Sequence, residues 1–193
     1  MFLWSTLEGD FDLETTLNLP SLSKLSKLLD MVGSNDITFN LNKNNLEYKS
    51  KTFKFKYHLY DDGILIKPKI TLSKIKGLKF DYEFDVTKSF LKTLLSNSSI
   101  FKDTNKLYIY TEDDQLIWSL ADRTMANTDT LTIVGGPVDF EMDEFILNLD
   151  NVRLIDFGES DTAKFEISEN GIGKIGIESG TIKNNYIISS LTK

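Results

Sequence analysis

A chain of 193 residues with 40% hydrophobic and 26% charged positions is long enough to bury one or two cores and too apolar to remain unfolded. It has no cysteine and one histidine, His58, which excludes disulfides and thiolate metal sites and leaves little for imidazole chemistry. The formal net charge is −7, yet ten lysines face three acids between Lys43 and Lys79, an asymmetry that can turn one face toward a polyanion but more often marks a solvated surface.

No apolar run reaches the roughly 20 residues of a membrane-spanning helix, and "MFLWSTLEGDFDLE" lacks the basic start of a secretory signal. The expected compartment is the cytosol. Three segments begin alike along the chain: "FDLE" at Phe11, "FDYE" at Phe80 and "FEMD" at Phe140. Each alternates apolar and acidic residues, which predicts a strand with one buried and one acidic face. A helical pattern follows each one, and period-2 strands follow the helix.

In the first unit Leu22, Leu25, Leu28, Leu29 and Val32 recur at helical spacing, with Pro20 before and Gly33 after. Strands are then predicted for "ITFNL", "LEYKS" and "FKFKYHLY", the first two joined by a turn at "NKNN". "DDGILIKPKITLSKIKGLK" is broken by Gly63, Pro68 and Gly77 and reads as a connector without a helix. In the second unit Phe90, Leu91, Leu94 and Leu95 form one helix face, and "KLYIYT", "QLIWSL" and "DTLTIV" are strands, with "EDDQ" a turn and "GGP" at Gly135 a loop. The third has "EFILNL", a short helix over "LDNVRLI", then "AKFEIS", "GKIGIES" and "NNYIISSL", with "ENGIG" a hairpin turn. Trp118, alternating with Leu116 and Leu120, is expected inside. The fold class is α+β, with strands outnumbering helices.

The chemistry of an enzyme is missing from these patterns. Asp61 with Asp62, and Asp113 with Asp114, stand in turns, where solvated carboxylates are commoner than an acid/base pair. "GIG" lacks the third glycine and following helix of a dinucleotide site, and no serine stands at a nucleophile elbow. No catalytic residue, metal ligand or cofactor is expected.

One helical stretch stands out: "VTKSFLKTLLSNSSIFK", Val86 to Lys102, has three lysines and no acid in an acidic chain. Repeated strand-helix-strands units, an extended connector and cations kept on the helices resemble a DNA sliding clamp. From about residue 10 onward the order "FDLETTLNLPSLSKLSKLL", "FDYEFDVTKSFLKTLL", "FILNLDNVRLI", "NNYIISSL" is similar to the polymerase processivity clamps of T4-type phages. The resemblance implies a sliding-clamp fold, with antiparallel sheets outside and helices on one face, assembled as a homotrimer around duplex DNA without sequence preference. It implies a replicative DNA polymerase and a clamp loader as partners, in the cytoplasm of an infected bacterial host.

By residue, the resemblance puts Lys24, Lys27, Lys88, Lys92 and Arg153 toward DNA, and acids such as Asp81, Glu83, Glu141 and Asp143 on the outer wall. It suggests a partner-peptide pocket at Ile64, Ile66, Tyr186 and Ile188. It suggests a subunit interface pairing Phe53, Phe55 and Tyr57 with Leu131 and Ile133 of a neighbour. A complete clamp subunit of this type has four units, and three are visible here. Residues 1–62 are therefore expected to be the second half of a first clamp domain whose N-terminal part is missing, 63–79 the connector, and 80–193 the second domain. A self-assembling phage tail or baseplate protein is the alternative function.

Overall fold

A computed structural model describes residues 1–7, 16–33, 37–64, 72–100, 104–121, 123 and 129–191, with the backbone alone at Phe2, Leu7 and Leu72. The elements in order are β1 (Phe2–Leu7), α1 (Leu22–Val32), β2 (Asn40–Asn42), β3 (Asn45–Lys49), β4 (Lys54–His58), α2 (Leu72–Lys76), β5 (Tyr82–Thr87), α3 (Lys88–Ser98), β6 (Lys106–Glu112), β7 (Gln115–Ala121), β8 (Thr130–Pro137), β9 (Phe145–Asn148), α4 (Leu149–Arg153), β10 (Thr162–Ser168), β11 (Ile172–Ser179) and β12 (Ile182–Ser189). The chain divides into two compact units, one of residues 11–75 and one joining 1–10 to 76–193.

The larger unit is built from one arrangement used twice: β5-α3-β6-β7-β8, then β9-α4-β10-β11-β12. The leading strands are exchanged. β5 pairs with β10 and β9 pairs with β6, so each four-strand array contains one strand of the other repeat. The sheets run β1-β12-β11-β10-β5 and β8-β7-β6-β9, antiparallel throughout. Apolar residues at alternate strand positions meet between them, as period-2 patterning requires. At the centre Phe84 of β5 stacks on Phe165 of β10 with centroids 5.6 Å apart, and Trp118 of β7 meets both rings edge-on. Leu91 and Leu94 of α3 and Leu149 and Val152 of α4 complete this core.

Three of the helices, α1, α3 and α4, start where the sequence supplies a cap. Thr87 accepts from the Phe90 N–H at 3.2 Å, and Asn148 from the Asp150 N–H at 2.8 Å, so strand passes into helix with no loop between them. In the smaller unit Ser21 caps α1, and Gly33 ends it in a left-handed turn with φ 61°. β2-β3-β4 form its sheet. Tyr57 is buried beneath the start of α1, where its hydroxyl donates to the Ser21 carbonyl at 2.8 Å and accepts from the Ser21 N–H at 2.9 Å. No residue of α1 is fully buried, and Leu22, expected on its apolar face, is 71% exposed.

Several sequence expectations are corrected. "FEMD" is not a strand: residues 141–144 run irregularly into β9, and the Met142 N–H is satisfied by the Thr111 hydroxyl at 2.7 Å instead of a ladder. "GGP" is no loop but the end of β8, reached through a register shift at Leu116/Ile117 with Gly136 at φ 124°. The connector does contain a helix, α2, anchored by buried Ile75. β1 pairs with β12 and so groups with the larger unit. "FDLE" lies outside the described residues.

Candidate nucleic-acid interface

The acid-free stretch is α3. Its buried side is Leu91, Leu94 and Ser98, and its solvent side carries Ser89, Lys92, Thr93, Ser96 and Ser99, with Lys88 half-buried on the same flank. Spacing of four residues puts Lys88 and Lys92 one turn apart. Lys88 is steadied by a hydrogen bond from its Nζ to the Gly158 carbonyl at 2.6 Å. That acceptor is neutral, so the cation keeps its charge.

Arg153, on α4, is brought to the far end of α3, where its Nη2 lies 3.4 Å from the Ser98 hydroxyl. Its Nη1 donates to Asp150 Oδ1 at 2.7 Å, and the other carboxylate oxygen accepts from Asn105 Nδ2 at 2.9 Å. The Asn105 amide, and then the guanidinium, hold the Asp150 carboxyl below the usual aspartate range. Lys88 and Lys92 thus share the solvent side of α3, and Arg153 of α4 meets the C-terminal end of that helix through Ser98, a residue of its buried side. Lys24 and Lys27 are exposed on α1, in the other unit.

Carboxylates gather at one end of the larger unit's strands. A concavity of about 590 Å³ is lined by Tyr82, Thr111, Phe140 and Met142 with five carboxylates, Glu112, Asp113, Asp114, Glu141 and Asp143. Tyr82 opens β5 and Thr87 closes it, so this concavity and the start of α3 are separated by about 17 Å of strand. On the outer face of the five-stranded sheet the charges pair instead: Lys164 with Glu83 at 2.6 Å, Lys183 with Glu178 at 3.3 Å, and Lys174 with Glu166. Among the described residues no group of three or more His, Cys, Asp or Glu could hold a metal ion.

The other expected sites fare differently. Tyr186 and Ile188 do not line a pocket: both are core residues of the larger unit, 2% and 1% exposed, because β12 lies inside its sheet between β11 and β1. The Tyr186 hydroxyl is used internally, accepting from the Asp156 N–H at 3.0 Å. Ile64 is exposed and belongs to the smaller unit; Ile66 lies outside the described residues. β4 and β8 are edge strands, each with one neighbour among the described residues. The rings of Phe53 and Phe55 are half-buried against Tyr48, and Leu131 and Ile133 pack on their own core. Val134, not singled out by pattern, is the apolar residue that β8 exposes, at 57%.

Two interleaved strand-helix-strand-strand-strand repeats, sheets outside and a helix from each repeat, define the DNA sliding-clamp fold. Solved structures similar to this chain bear the fold out. The DNA polymerase III subunit beta of Borrelia burgdorferi aligns over 98% of this chain and 50% of that one, at 15% identity and a TM-score of 0.65. The beta clamp of Helicobacter pylori bound to a DNA ligase peptide aligns over 86% of this chain and 44% of that one, at 14% identity and a TM-score of 0.60. A polymerase III beta subunit from Eubacterium rectale gives 12% identity and a TM-score of 0.63 over 89% of this chain. The chain spans about half the length of the structures it matches. No family model and no curated protein matches it.

Proposed function

We propose that this chain serves as a DNA sliding clamp: it surrounds duplex DNA, holds it by topology and tethers a replicative polymerase. The observation that carries the proposal is the acid-free helix α3, with Lys88 and Lys92 on its solvent side and Arg153 of α4 at its C-terminal end, in a fold of the sliding-clamp type. Cations near phosphate displace condensed counterions and bind without reading sequence. Acids gathered at the opposite ends of the strands repel the duplex from that side. An encircling protein needs weak contacts, since tight ones would oppose sliding. No bond is made or broken, so the activity requires no catalytic residue, metal or cofactor.

In this reading Lys24 and Lys27 of α1 are further cations for the DNA backbone. The edges of β4 and β8 join neighbouring subunits by strand pairing, in a homotrimer like that of the T4-type phage clamps. A clamp loader opens the ring, and the working place is the cytoplasm of an infected bacterial host. A partner peptide, of the kind seen on the H. pylori clamp, docks beside the connector, for which exposed Ile64 is the available apolar contact.

The test is topological. Protein loaded on nicked circular DNA should survive gel filtration with it, and should be lost when one cut linearises the circle. Equal retention on both forms would falsify encirclement.

A further inference from the structure

We infer that Asp150 is a built-in competitor for the phosphate that Arg153 would contact, a brake that keeps this part of the DNA face weak; the inference rests on the sliding-clamp reading. Three elements converge to place it. Asp150 and Arg153 stand three apart on α4 and bond at 2.7 Å. Asn105, just before β6, fixes the second carboxylate oxygen at 2.9 Å. Ser98 at the end of α3 lies within 3.4 Å of the remaining guanidinium nitrogen. The guanidinium is therefore oriented at the end of the cationic helix with its charge already countered.

Stability does not explain the arrangement, because the two side chains are 46% and 64% exposed and ion pairs so solvated contribute little. The consequence falls on binding. A phosphate reaching Arg153 must displace a carboxylate, so one charge-assisted pair is exchanged for another and the net gain is small. Lys88 differs: its partner is the neutral Gly158 carbonyl, and its charge stays available. Of Lys88, Lys92 and Arg153, Arg153 is the one with an ion-pair partner among the described residues. A clamp that must slide benefits from such a contact, oriented but quickly surrendered.

The experiment measures binding of the full chain to a short labelled duplex by fluorescence anisotropy over a salt series. The proteins are the parent, Asp150→Asn, Arg153→Gln, the double variant and Lys92→Gln. Asp150→Asn should bind several-fold tighter, with a log–log salt slope steeper by up to about 0.9, the share of one phosphate. The double variant should match Arg153→Gln alone. The brake is overturned if Asp150→Asn binds like the parent, or if its gain survives in the Arg153→Gln background, which would mark a general loss of negative charge. If Lys92→Gln weakens binding while Asp150→Asn does not strengthen it, only the brake falls. If Lys92→Gln and Arg153→Gln both bind like the parent, the DNA-facing reading falls and the brake with it.

Discussion

At Trp118 the core meets a backbone that only glycine allows. A Cβ on Gly135 would lie 2.8 Å from the indole Nε1, and the ring, fully buried among Phe84, Phe90 and Phe165, has nowhere to retreat. Gly135→Ala should cost about 1–3 kcal/mol, read as a fall in urea midpoint. The indole N–H has no acceptor among the described residues, so Trp118→Phe removes the clashing atom together with an unsatisfied donor. The pair should then be markedly non-additive, with the double variant more stable than the sum of the single losses predicts. Asp150 allows a pH test. Its carboxyl is held low by Asn105 and Arg153, so the ion pair is complete above the ordinary aspartate range and dissolves only as pH falls through the lowered value. Carboxyl NMR titration should show that low midpoint, and Arg153→Gln should raise it toward the ordinary value.

The helices differ in how far packing secures them. α3 drives Leu94, with no exposed surface, into the core of the larger unit, whereas Leu28 and Leu29 of α1 are half-buried. Leu94→Ala should cost about 2–5 kcal/mol. Leu28→Ala should cost clearly less, because fewer contacts are lost and little cavity is left. Caps are a separate contribution: Thr87→Ala leaves the Phe90 N–H unpaired and should cost about 1 kcal/mol, visible as a lower thermal midpoint at unchanged DNA affinity per folded molecule. Of these boundaries, the end of α1 at Gly33 was read from the sequence, and the caps at Ser21 and Thr87 were not. Ser21, Thr87 and Gly33 are residues whose local chemistry ends or begins a helix, and the turns at Lys43 and at Asp113–Asp114 indeed adopt positive φ. "FEMD" misled because alternation marks a strand only where a neighbouring strand offers a ladder.

At the scale of the molecule, β8 presents an edge unpaired among the described residues, with Val134 57% exposed, which the proposed assembly would cover. Val134→Lys should shift native mass spectra toward monomer with little change in thermal midpoint, since no core contact is removed. Monomers alone from the parent chain at micromolar concentration would remove the basis for a ring of strand-paired subunits. The exchange of β5 and β9 between repeats is also a molecular-scale fact. It ties the two repeats into one core, and no local pattern announces it, because a strand's apolar face specifies burial but not which sheet will accept its hydrogen bonds.

Period and turn residues are properties of neighbouring positions, so most strands, α1, the buried Trp118 and the acid-free helix were legible from the linear chain, whereas α2 and the irregular "FEMD" were not. Partnership is not local. That Tyr186 and Ile188 belong to the core rather than a pocket follows from β12 lying between two strands, one of them drawn from the first seven residues. Arg153 was legible as a cation on a helix, and even the Asp150 spacing was there to be read. That Asn105 and Ser98, from elsewhere in the chain, would hold this pair at the end of α3 was decided by tertiary packing, which alone brings distant side chains within hydrogen-bonding reach.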